Sequence, residues 1–359
     1  MWIFDRSRTT YAESANKFIK AISYRYSDEV FKAIAKLFKV TLESAKNTYA
    51  TPIFHLGVAY KVEVDKYRFG KTEVNPAMVG TSNVEYRYTD PALLLLSGKI
   101  NLETFMLINI IRFQVLNSTL ENPKFIERIN NKVLPLLLTI QTIKQLEKID
   151  PRQAYISEAE IGLLYQKTDH SDMVEFAKTI ITYREDPNLS LPPGKNPDAF
   201  FNLFDSTGVV KSCKQVWING QRKGILVLAA NRKNIIEKIL LDPPEFIPIT
   251  WNDRWKWAHA YTKLPANLNN YLQSDKQPVL IRNLPPDSRY DSNTGTLFLY
   301  SIFGAQFKID DLVIWSNPIS DLKENVIYKI SNYPSFLQDG TVAIKIVEEF
   351  RSSQSKISY

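Results

Sequence analysis

Metal-dependent cleavage of a phosphodiester needs two carboxylates to hold Mg²⁺ and a lysine nearby to polarise the phosphate or the attacking water. The acidic residue and the lysine must alternate on one strand so that both side chains point the same way. Gln306-Phe307-Lys308, with Asp291 upstream and Asp310-Asp311 just after, has the form of a glutamine variant of that Asp/Glu-x-Lys pattern. Asp321-Leu322-Lys323 matches in residue type but falls in a segment that reads as a loop. No helix is expected after Lys308, and three-residue matches are common by chance. No catalytic residue is therefore assigned. No cofactor is expected, and Mg²⁺ enters only if the chain is itself a nuclease.

Other reactive groups are sparse. His55, His170 and His259 are far apart in sequence, and His55 between Phe54 and Leu56 reads as a packed core histidine. Cys213 is the single cysteine, so the chain has no internal disulfide and no cysteine cluster for zinc. Its neighbours Lys211 and Lys214 suit a lowered-pKa thiol; a partly buried cysteine is the plainer reading. Gly70 and Gly80 do not have the spacing of a phosphate-binding loop.

Charge is the stronger signal. The 359 residues carry a formal net charge of +7. Such an excess favours a polyanionic partner, because cationic side chains release counterions when they neutralise phosphates. Within residues 1–50, Arg6, Arg8, Lys17, Lys20, Arg25, Lys32, Lys36, Lys39 and Lys46 outnumber Asp5, Glu13, Asp28, Glu29 and Glu43, with Tyr11, Tyr24 and Tyr26 interleaved. Either a phosphate-facing surface or a solvated helix face accounts for this.

The elements that must position these charges are legible in the apolar pattern. Ser27 reads as an N-cap, followed by Asp28 and Glu29 in a first turn and by Val30, Phe31, Ile34, Leu37 and Phe38 at helical spacing. Thr41 reads as the cap of a second short helix, Leu42 to Tyr49, whose inward face is Leu42, Ala45 and Tyr49. A β-rich stretch follows, His55–Val64 and Val84–Tyr88, and then a helix opened by Thr89-Asp90-Pro91. That order is the grammar of a winged-helix unit over residues 1–118. In a helical unit over 131–187, Val133 to Ile140 reads as a core helix and Ser157 with Glu160 as a capping box. Residues 186–198 hold Pro187, Pro192, Pro193 and Pro197 and read as a linker or extended connection. A second winged unit spans 197–241, with strands Val209–Ser212 and Ile225–Leu228 and Asn231 as cap of the following helix. Trp251, Trp255, Trp257, His259 and Tyr261 crowd the next stretch, which suits base stacking or, more plainly, an inter-domain weld. About five short β-patterned runs over 278–350 suggest a small barrel, SH3-like or PUA-like. The fold class is thus α+β: tandem winged-helix-like helical units followed by a small C-terminal β-barrel. The absence of a long apolar run argues against a membrane span, and no apolar leader is read at the N-terminus, so cytoplasmic residence is the expectation.

The order of units resembles the DNA-recognition region of the AlwI-type restriction endonucleases, a family that includes nicking enzymes. The carrying residues are Tyr86-Arg87-Tyr88-Thr89-Asp90-Pro91 with Ala92 to Leu96, then Phe105, Ile108 and Phe113 to Val115. Asn131 to Ile143, Ile156 to Ile161, Ile180 to Glu185, Phe204 to Gly208 and Asn231 to Leu240 continue it. The resemblance covers about Ser27 to Leu241 and implies reading of a short asymmetric duplex site. It departs from the family after Leu241, where a nuclease domain would follow and an aromatic segment and β-runs stand instead. The expected partners are double-stranded DNA and a nuclease subunit on another chain. The expected contacts are Arg6, Arg8, Lys32 and Lys36 to phosphates, Lys46 and Asn47 to base edges, and Lys211, Lys214, Arg222 and Lys223 along a basic wing. A protein-interaction adaptor is the alternative without nucleic acid.

Overall fold

The computed structural model describes residues 15–22, 27–46, 53, 56–63, 84–114, 132–186, 188–194, 196–247, 260–272, 278–319 and 321–349. The chain is a mixed α+β fold whose described strands form three sheets. It divides into two compact units. One takes Met1–Thr142, Glu158–Val210 and Ile235–Leu272, and the other takes Ile143–Ser157, Lys211–Asn234 and Gln273–Tyr359.

The first unit opens with α1 (Ala15–Ala21) and α2 (Ser27–Phe38). Asp28 and Glu29 lie in the first turn of α2 and Lys36 in its last, each complementing the helix dipole. Val30, Phe31 and Ile34 are buried, as their spacing requires. After α2 the chain turns through Lys39, whose φ is +56°, and the Val40 N–H donates to the Ala35 carbonyl at 3.0 Å. That is a Schellman ending with a lysine where glycine is usual. Thr41 Oγ1 then accepts from the Ser44 N–H at 3.1 Å and caps α3 (Leu42–Ser44).

A two-stranded antiparallel ribbon follows, β1 (Ala59–Glu63) with β2 (Val84–Tyr88), with Ala59 opposite Tyr88. The described strand β1 begins later than the expected His55. Thr89 does two jobs: its Oγ1 accepts from the Ala92 N–H to cap α4 (Asp90–Leu96), and its hydroxyl donates to the Gly57 carbonyl just ahead of β1. One fully buried side chain therefore fixes the ribbon to the helix after it. The helix α5 (Leu102–Ile110) is apolar all round and buried from Thr104 onward. Further along come α6 (Pro135–Ile149), α7 (Ile161–Leu164), α8 (Met173–Glu185) and α9 (Pro197–Asp205).

The α-helix expected to open at Ser157 starts four residues later, at Ile161. Ile156–Ser157 form a short strand, β3, Glu158–Glu160 make a 3-10 turn, and α7 starts without a side-chain cap. The Glu160 carboxylate is 3% exposed and takes a bidentate ion pair with Arg184 of α8, at 2.6 and 2.9 Å. A buried carboxylate is costly without a full counter-charge, and Arg184 supplies it. The proline-rich connection lies against α7: a Cβ on Gly162 would sit 1.9 Å from the Pro192 carbonyl oxygen.

In the second unit β3 pairs with β5 (Gln221–Leu228), and β5 with β4 (Val210–Ile218). Both strands of this hairpin run further toward the tip than expected. Asn219 and Gly220 both adopt positive φ, 50° and 74°, which gives a two-residue turn whose twist matches the strands. A 3-10 turn at Ala230–Arg232 leads into α10 (Lys233–Leu241), which from Ile235 onward belongs to the first unit. Asn231 caps no helix here; its amide donates to Asp311 Oδ1 at 3.0 Å.

The C-terminal β-runs form one seven-stranded sheet. Its strands are β6 (Val279–Ile281), β7 (Arg289–Asp291), β8 (Thr296–Tyr300), β9 (Leu312–Trp315), β10 (Ile327–Ile330), β11 (Ser335–Phe336) and β12 (Thr341–Glu348). The order β6-β9-β10-β12-β8-β7 leaves β6 and β7 as ends, so the described strands make an open sheet rather than a closed barrel. Long β12 bridges the two halves, pairing β8 through Thr341–Lys345 and β10 through Ile346–Glu348. A short helix, α11 (Ser301–Ala305), follows β8 directly. Trp315, Phe307, Leu297, Leu299, Val342 and Ile344 are among its buried core. No helix among the described residues is long and apolar enough to cross a membrane.

His170 is built into the first unit as an acceptor. Its Nε2 accepts the Leu134 N–H at 2.9 Å, just ahead of α6, and its Nδ1 lies 2.7 Å from Gln141 Oε1. The imidazole must be neutral, with the proton on Nδ1. Burial pushes its pKa down to about 4 from 6.5. The unfolded chain thus binds the proton more readily between these values, so stability is complete above about 6.5 and is lost as pH falls toward 4. Urea unfolding should show wild-type stability declining across that window by up to about 3 kcal/mol more than in His170→Gln. Parallel pH profiles for the two proteins would contradict the assignment.

Candidate nucleic-acid interface

The rotation of α2 is fixed from inside. Phe31 meets the Tyr86 ring of β2 edge-on at a centroid distance of 6.0 Å, and Val30 and Ile34 are fully buried. Tyr88 of β2 donates its hydroxyl to the Ile19 carbonyl of α1 at 2.8 Å, and Phe18 of α1 lies 5.0 Å from Phe38 of α2. With those residues inward, Lys32 and Lys36 are exposed one helical turn apart, and Lys39 is exposed in the turn that follows. Lys17 of α1 adds a further cation, its ammonium 5.0 Å from the Phe38 ring centre. Lys46, expected to meet base edges, is half-buried and lies 3.5 Å from the exposed carboxylate of Asp28. Leu42, expected to face inward, is 39% exposed, while Ala45 is buried as expected. The inward stripe of α3 is thus narrower than its spacing suggests. Arg6, Arg8 and Asn47 lie outside the described residues.

The second group of expected contacts lies in the second unit. Lys214 and Arg222 are exposed on the β4–β5 hairpin, and the Arg222 guanidinium lies 5.0 Å from the Trp217 ring centre. An indole under a guanidinium holds its plane fixed at low entropic cost. Lys223 is half-buried on β5. Lys211 is directed into the unit instead: its ammonium donates to the Phe307 carbonyl. It helps surround Asp311, whose carboxylate also accepts from the Lys308 N–H at 2.8 Å and the Asn231 amide. Burial pushes the Asp311 pKa up, against the charges of Lys308, Lys211 and Arg232.

This cluster takes up the residues singled out for metal chemistry. Phe307 sits in the core of the seven-stranded sheet, and Gln306 and Lys308 belong to the turn after α11 rather than to a strand. The alternation that the motif depends on is therefore missing. Asp291 holds the turn after β7 through Thr294 Oγ1 at 2.8 Å and the Asn293 N–H at 3.0 Å. Among the described residues no group of three His, Cys, Asp or Glu side chains is placed to hold a metal. Cys213 is buried, its Sγ 3.5 Å from the Ala305 carbonyl. His55, His259 and Trp251, Trp255 and Trp257 lie outside the described residues.

Arg112, which sequence reasoning passed over, stabilises the end of the aromatic segment. Its Nε donates to the Ile108 carbonyl at 2.8 Å; its two terminal nitrogens reach Asn109 Oδ1 and the carbonyls of Ala260, Tyr261 and Lys263. Each of the five guanidinium donors is thereby used, with the Tyr261 ring centre 5.4 Å away. The signal was slight: a single arginine directly after an apolar helix.

No family model matches the chain, and no curated protein matches it. A solved structure does: the BpuJ1 endonuclease binding domain, determined in complex with pyrene- and phenanthrene-modified DNA. The match covers 73% of this chain and 97% of that one with a TM-score of 0.52 and 12% sequence identity. At this identity the likeness is one of fold.

The turn between α2 and α3 yields a stability test. Lys39 carries a Cβ in the left-handed region, a cost of about 1 kcal/mol that glycine does not bear. Lys39→Gly should raise the denaturant midpoint by an amount equivalent to roughly 1 kcal/mol, and Lys39→Ala should not. A loss of stability in Lys39→Gly would contradict the observed backbone conformation.

Proposed function

We propose that this chain binds double-stranded DNA sequence-specifically, with unit 1 reading through the α2–turn–α3 segment and the β4–β5 hairpin of unit 2 making a second backbone contact. One observation carries the reading. A row of outward lysines, Lys32, Lys36 and Lys39, flanks a helix-turn-helix order in a chain whose fold is that of an endonuclease binding domain solved on DNA. The sequence of elements α1, α2, α3, β1, β2, α4 supports a winged-helix-like unit over 1–118; the reading keeps a helical linking unit over 131–187 and, by element order alone, a second winged-helix-like unit over 197–241, whose helices fall mainly in the first compact unit and whose hairpin falls in the second. The resemblance to the recognition region of AlwI-type enzymes fits this arrangement. Under it the chain is the recognition part of a restriction-type defence system, and cleavage belongs to a partner chain.

Lys32 and Lys36 serve phosphates, which set position and register and carry no sequence information directly. Lys46 and Asn47 serve base edges, and Lys46 exchanges its surface pair with Asp28 for a base. An exposed pair of that kind contributes at most about 1 kcal/mol, so the exchange is inexpensive. Lys214, Arg222 and Lys223 serve the backbone from the hairpin. Lys211 supports them from within, through Phe307.

Titrating a labelled duplex at several salt concentrations tests this directly. If about six phosphates are neutralised, log affinity should fall against log salt with a slope near −5. Lys32→Ala and Lys36→Ala should each make that slope shallower by about 1 and weaken selected and random duplex alike. A slope near zero, or no binding at low salt, would count against the proposal. With Mg²⁺ the purified chain should leave supercoiled plasmid intact; nicking that disappears in Lys308→Ala would move the active site into this chain.

A further inference from the structure

Two leucines flank the turn between α2 and α3 and do not follow their own helical pattern. Leu37 continues the spacing of Val30 and Ile34, and Leu42 lies three residues ahead of buried Ala45. Periodicity puts both in the inward stripe. In the structure Val30, Ile34 and Ala45 are fully buried, whereas Leu37 is 36% and Leu42 39% exposed. Along the chain they are interleaved with exposed Lys36 and Lys39, with Lys32 one helical turn before Lys36. An apolar spot set among cations is suited to a polyanion that itself displays small apolar groups. It is poorly suited to an apolar protein surface, which would have to desolvate the ammoniums.

Duplex DNA has that composition. Its phosphates line the rims of the major groove, and the C5-methyl of thymine is the apolar feature presented on the groove floor. We infer that Leu42, supported by Leu37, forms a contact for a thymine methyl group and so contributes to which sequence is read. The inference rests on the duplex-binding reading above and adds to it a base and an atom. Exposed lysines beside the leucines locate the phosphates, and the leucines sense the presence of the methyl. An anionic membrane offers the same charge, but two side chains a little over one-third exposed supply little apolar area to insert into it.

The test begins with selection of bound sequences from a random duplex pool by the full chain. Each thymine of the selected site is then replaced singly by uracil, which keeps every hydrogen-bonding group and lacks only the methyl. The wild-type protein should lose about fourfold in affinity at one or two of these positions, the equivalent of roughly 0.8 kcal/mol per methyl group. Leu42→Ala should bind the thymine and uracil duplexes alike at those positions, with its unfolding midpoint unchanged within error. Should Leu42→Ala not fold, Leu42→Met keeps the volume, and the uracil series on the wild-type chain still decides. The inference is overturned if no thymine position responds, or if the response persists in both Leu42→Ala and Leu37→Ala. It is equally overturned if Leu42→Ala alters only self-association, or only binding to phosphatidylserine vesicles. Failure to bind any duplex overturns the underlying proposal along with it, and is told apart by the absence of enrichment in the selection.

Discussion

The packing of Phe31 under Tyr86, with Val30 and Ile34 buried beside it, fixes how α2 is turned about its axis. The direction of the charged face follows from that rotation. A helix that buries positions 30, 31 and 34 must present 32 and 36 to water, because side chains three and four residues apart share a face. Losing that apolar anchor would cost a few kcal/mol of burial, far more than any surface ion pair could restore. The lysines therefore do not choose their direction; the core chooses it for them. The same ribbon that supplies Tyr86 also supplies Tyr88, which holds α1 through the Ile19 carbonyl. The charged surface of α1 and α2 is thus supported by two alternate positions on one face of a strand.

The second unit shows the opposite use of charge. Asp311 is buried with Lys211, Lys308 and Arg232 around it and an amide from Asn231. Such a group is costly to bury and strongly destabilising to break, so its worth lies in fixing geometry rather than in net stability. It joins the start of β4, the turn before α10 and the turn after α11 within one unit. The hairpin that carries Lys214 and Arg222 grows from that base, which gives an exposed element a rigid root. Charge that reads as reactive in a linear sequence can thus be structural, and Gln306-Phe307-Lys308 is the clearest instance.

What the sequence revealed follows from how local each determinant is. The apolar spacing of α2, the Thr89 cap with Pro91 behind it and the ordering of helices and strands were all legible, because each depends on neighbours within a turn or two. The pairing of β3 with β5 and of Glu160 with Arg184 is not legible in the sequence, because neither partner is near. The hairpin tip was missed because polar Lys214, Gln215, Gln221 and Arg222 hide the alternation, although Asn219-Gly220 is a strong two-residue turn signal. Lys211 looked like its neighbour Lys214, and only the position of Phe307 separates an inward ammonium from an outward one. Leu42 was placed inward by spacing alone, which carries no information about where a three-residue helix runs out of partners.

The central claim, that the α2 face of this fold is where duplex DNA sits, is tested most directly by lysine reactivity. Acetylation of the free chain and of the chain on duplex DNA, read by mass spectrometry, compares the same ammoniums in both states. The account predicts that duplex shields Lys32, Lys36 and Lys214, while Lys178 on α8, 59% exposed, reacts equally in both. Unchanged reactivity of Lys32 and Lys36 on a duplex that is demonstrably bound would contradict it.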